Sequence, residues 1–97
     1  MAKMVSLDVK LTLADGAQSG WIRVNSREVD IRNGKGIARV NAELAEHRYR
    51  YFCKGDGKGT ISIEILQGNS SRAKGKSTIS DDKTEATGRG TFTLSAA

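Results

Sequence analysis

From Val5 to Leu13 the apolar residues Val5, Leu7, Val9, Leu11 and Leu13 alternate with Ser6, Asp8, Lys10 and Thr12. A period of two marks a strand with one face on a core and the other in water. The pattern returns at Ile22 and Val24, at Val29 and Ile31, and through Ala38, Val40, Ala42 and Leu44. It continues in Tyr49, Tyr51 and Cys53, then in Ile61, Ile63 and Ile65, and in two C-terminal runs, Ala73 to Ile79 and Ala86 to Leu94. Seven or eight strands, with turn signals about every 8–12 residues, predict an all-β domain. The expected architecture is an antiparallel two-sheet β-sandwich, with a small β-barrel as the alternative. Its core would hold the odd residues from Val5 to Leu13, with Ile22, Val24, Val29, Ile31, Val40, Tyr49, Tyr51, Ile61, Ile63, Ile65, Ile79, Phe92 and Leu94.

Three turns suggest registers. Asn33-Gly34 is a strong two-residue hairpin signal, because a type I′ turn needs positive φ at both central residues. It would set Val29 against Ala38 and Glu28 against Arg39. The loop Gly55-Asp56-Gly57-Lys58-Gly59 would place Cys53 against Ile61, Tyr51 against Ile63 and Arg50 against Glu64. Asp81-Asp82 would close a third hairpin, with Ser77 facing Ala86 and Gly75 facing Gly88. Residues 41–47 are rich in helix formers, and Asn41 could cap a short helix. A strand running into a turn is the preferred reading there.

At 97 residues the chain is one domain, 1–97, with a single core. The lone Cys53 excludes an internal disulfide and a zinc knuckle. No apolar run nears the roughly 20 residues that a membrane helix needs. Asp8 interrupts the N-terminal stretch where a signal peptide would be continuously apolar. Together with the absence of disulfides, this slightly favours the cytoplasm, but the location stays unknown. His47 and Cys53 are the only nucleophile–base candidates. Six residues apart on one strand, they would sit roughly 20 Å from each other. Cys53 reads better as a small core residue and His47 as a turn residue. Asp56 and Asp81-Asp82 lack EF-hand spacing, and the glycine-rich segments match neither the P-loop nor the dinucleotide pattern. No catalytic residue, metal ligand or cofactor is implied.

Charge is the one uneven property. Of the net +5, all lies in residues 48–76, with seven bases against two acids; the rest of the chain is balanced. Arg48, Arg50, Phe52 and Lys54 share the outer face of one strand, and Arg72, Lys74 and Lys76 that of another. Cations for phosphates and an aromatic for a base are what a single-strand nucleic-acid surface requires. Solvated lysines and arginines guarding edge strands would produce the same pattern. Trp21 points away from the face lined by Ile22 and Val24, next to Arg23, as a platform or a partner contact.

The alternation, turn spacing and length look like an immunoglobulin-like or jelly-roll-like sandwich, although the Cys-Trp-Cys hallmark of immunoglobulin domains is absent. A likeness at this level implies no function. The expected function is a non-catalytic binding or accessory module acting through its surface, with an unidentified protein, glycan or nucleic-acid partner. The alternative is binding of single-stranded nucleic acid or another polyanion through the basic 48–76 face.

Overall fold

The computed structural model describes residues 4–24, 27–32 and 34–94. Eight strands follow in order: β1 (Met4–Ala14), β2 (Ala17–Val24), β3 (Arg27–Arg32), β4 (Lys35–Glu43), β5 (Glu46–Gly55), β6 (Thr60–Gln67), β7 (Ser70–Thr78) and β8 (Glu85–Thr93). They form two antiparallel four-stranded sheets, ordered β4-β1-β6-β7 and β3-β2-β5-β8, packed face to face. The domain is a sandwich, not a closed barrel. Residues 41–47 are not helical: β4 runs to Glu43, Leu44 and Ala45 turn, and β5 begins at Glu46.

None of the three expected hairpins forms as a ladder, because each connection crosses from one sheet to the other. Strand β3 pairs with β2 while β4 pairs with β1, so Glu28 meets Arg23 and Arg39 meets Asp8. Cys53 lies between Gly20 and Ala86, and Ile61 between Leu13 and Ser77. Arg50 faces Arg23 and Arg89, not Glu64. Strands β7 and β8 touch along the sandwich edge, where the Ser77 hydroxyl donates to the Thr87 carbonyl at 3.0 Å. The ladders that do link neighbours in sequence are β2–β3 and β6–β7. The second turns through Gly68-Asn69, with φ of +61° at Gly68. In an immunoglobulin domain the first two strands pair within one sheet; here β1 and β2 face each other across the core.

Side-chain volume explains why crossing wins. The inward positions of β4, β7 and β8 include Gly36, Ala38, Ala73, Gly75, Ala86, Gly88 and Gly90, all small. A β7–β8 hairpin would set small against small and leave a void, whereas a tight core interleaves large with small. In the observed registers Gly88 and Gly90 lie beside Tyr51 and Tyr49, and Gly75 and Ala73 beside Ile63 and Ile65. The Tyr51 ring fills the space left by two glycines. A Cβ at Gly75 would come within 2.6 Å of its hydroxyl, and one at Gly88 would run into the ring.

The core contains Leu7, Val9, Leu11, Leu13, Ile22, Val24, Tyr51, Ile61, Ile63, Ile65, Ile79, Phe92 and Leu94 as expected, with Ala42 and Cys53. Val5, Val29, Val40 and Tyr49 pack against it only partly buried. The Ile31 side chain and Asn33 lie outside the described residues. His47 is no turn residue. It is the second residue of β5, buried at 6% exposure, with its ring against Phe92 and its Nε2 donating to the Glu43 carbonyl at 2.7 Å.

Gly34 has φ of +74°, and an added Cβ would meet nothing within 4 Å. The cost of Gly34→Ala is therefore purely conformational, about 1–2 kcal/mol. It should appear as a lower urea midpoint with an unchanged slope; an unmoved midpoint would refute a left-handed conformation at this crossing.

Candidate anion-binding face

The outer face of the β3-β2-β5-β8 sheet is built by the even-numbered positions of β5 and the odd-numbered ones of β2 and β8. Their registers arrange the side chains in rows across the strands. One row reads Glu28, Arg23, Arg50, Arg89. The next reads Asp30, Trp21, Phe52, Thr87. Arg48 stands on the far side of the arginine row, opposite Thr91, and Lys54 beyond the aromatic row, opposite Glu85.

Three guanidinium groups thus occupy neighbouring strands in one register, and like charges directly opposite each other destabilise a sheet. Among the described residues, Arg23 alone of the three has an acid partner, Glu28 at 2.7 Å. Arg48, Arg50 and Arg89 make no ion pair or side-chain hydrogen bond among the described residues. With Tyr49, Gly90 and Thr91, the four arginines line an open depression of about 820 Å³. Burial, and next to it the neighbouring Tyr51, push the Tyr49 phenol up from its ordinary value. That phenol lies on the inward face of β5 beside Gly90, on the other side of the sheet from the guanidinium groups.

The aromatic row is equally ordered. Trp21 and Phe52 stack with centroids 5.7 Å apart and planes inclined by 18°. Arg23 reaches over the indole, its guanidinium carbon 5.3 Å from the ring centre. Both rings are partly buried. Stacking and the cation hold Trp21 in place.

The expected basic surface is divided by the fold. Arg48, Arg50, Phe52 and Lys54 belong to this face and Trp21 joins them. Arg72, Lys74 and Lys76 lie on β7, at the edge of the other sheet. Arg72 occupies a β-bulge and donates to the Gln67 side chain at 3.1 Å, and Lys74 is 3.6 Å from Glu64. The depression around Lys74 and Lys76 has that carboxylate in its lining and no aromatic. The charge run at 48–76 is therefore not one surface. Arg23 and Arg89, in turn, come from strands far away in sequence. Outward parity was their only signal, since nothing local reveals that β2 and β8 flank β5.

Cys53 is wholly buried, and burial raises its thiol pKa despite an opposing hydrogen bond from the Ala86 backbone. It shares the inward face of β5 with His47, as the spacing predicted. Among the described residues no group of three or more His, Cys, Asp or Glu side chains could hold a metal ion. Nor is any helix among them long and apolar enough to cross a membrane. Comparison with protein families, curated proteins and solved structures finds no match to this chain.

Proposed function

We propose that this chain is a non-catalytic binding module that takes a polyanion on the outer face of the β3-β2-β5-β8 sheet. The observation that carries this reading is the register row Arg23–Arg50–Arg89, flanked by Arg48. Mutual repulsion makes the row a liability in the free protein, and phosphates or sulfates would relieve it. Guanidinium groups suit such anions because they donate in a planar fork.

Heparin and single-stranded oligonucleotides, each titrated at two salt concentrations, test the proposal. Engaging three or four phosphates gives a slope of about −2 to −3 in log affinity against log salt for a single strand. Arg50→Glu should weaken binding at least tenfold, while Lys74→Glu, on the opposite sheet, should change it less than twofold. Equal losses from both would mean diffuse charge attraction and would defeat the assignment to one face.

A second reading keeps the module and changes the partner. Trp and Arg dominate protein-interface hot spots, so the stacked Trp21 beside the arginines also suits an acidic protein surface. Failure of both polyanions to bind at low salt would move the assignment there.

A further inference from the structure

We infer that the polyanion is a single-stranded nucleic acid, lying across the β-strands with its phosphates on the arginine row and its bases on the aromatic row. This rests on the proposed function and names the ligand of the same face. The two rows are two residues apart along each strand, a separation of about 7 Å. That gap leaves room for a sugar between a phosphate held by Arg50 or Arg89 and a base resting on the aromatic row.

The stack also has an open end. Trp21 is covered by Phe52 and by Arg23. Beyond Phe52 the row continues to Thr87, whose short side chain cannot cover an aromatic ring. A base entering over Thr87 would add a third plate to the Trp21–Phe52 stack and bring its phosphate beside Arg89. Arg23 to Arg89 spans two inter-strand gaps, about 10 Å, or about three stacked nucleotides at ~3.4 Å each. A sulfated glycan would use the arginines but offers no flat ring for Phe52. A duplex keeps its base faces buried within its own stack. The aromatic row therefore selects the single strand.

The probes are a fluorescein-labelled thymidine hexamer, an abasic hexamer with the same phosphates, and a duplex of equal strand length. Anisotropy reads binding, and the emission of Trp21, the protein's single tryptophan, reads stacking. The thymidine hexamer should quench Trp21 and bind about five- to 100-fold more tightly than the abasic one, as expected for base–aromatic stacking. Phe52→Leu retains apolar packing against Trp21 and should bring the thymidine hexamer to the abasic level while leaving abasic binding unchanged. Thr87→Leu, which covers the open face of Phe52, should do the same. Equal binding of the two hexamers, silence of both variants, or tighter binding of the duplex would overturn the inference and leave polyanion binding standing. Failure of every probe at low salt would overturn both.

Discussion

Leu11→Asp should abolish the cooperative fold. Leu11 is fully buried on β1, one of the two inner strands of its sheet, with Gly36 and Ile63 as register partners. No Lys or Arg is among the buried residues described, and an uncompensated buried charge costs several kcal/mol. A domain of this size has only about 5–15 kcal/mol in total. Circular dichroism against temperature should show no sigmoidal melt. A variant that melted like the parent would place Leu11 on a solvated face and reverse the parity of the whole strand.

Gly88→Ala is the smallest substitution with a large expected cost. The new methyl would collide with the Tyr51 ring, which is itself 5% exposed and wedged toward Gly75. Overpacking of this kind costs about 1–3 kcal/mol. The diagnostic is a double-mutant cycle. Once Tyr51→Leu has removed the ring, adding Gly88→Ala should cost less than about 0.5 kcal/mol, because direct neighbours do not contribute additively. Additive losses would show that the glycine serves backbone conformation and not the tyrosine.

Alternation along the chain correctly assigned faces and misassigned neighbours. Tyr51 and Ile63 both point inward, and that holds whether β5 and β6 lie side by side or oppose each other across the core. Parity cannot tell these apart. Volume can: the small inward residues Ala86, Gly88 and Gly90 sit in one run, and a chain that packs them beside Tyr49, Tyr51 and Cys53 leaves no void. The same ambiguity divided the expected site. Arg48, Arg50, Phe52 and Lys54 were legible together because a single strand carries them. Arg23 and Arg89 were not, because their proximity exists only once β2 and β8 have taken places on either side of β5. Lys74 and Lys76 lie nearby in sequence but on the other sheet. Linear charge density is a poor guide to surface charge when successive strands change sheets.

The crossings also dictate an order of assembly. Strand β1 is made first, yet its partners are β4 and β6, so the most apolar face near the N-terminus has no ladder until residues 35–43 exist. The only early local pairing is β2 with β3. Distant pairings close loops before contacts reward them, which slows folding to the millisecond-to-second range typical of β-sandwiches. During synthesis, at about 5–20 residues per second, β1 therefore has no ladder partner until β4 is made. Chaperone capture or misassembly of nascent chains should concentrate in that interval, and end as β4 docks.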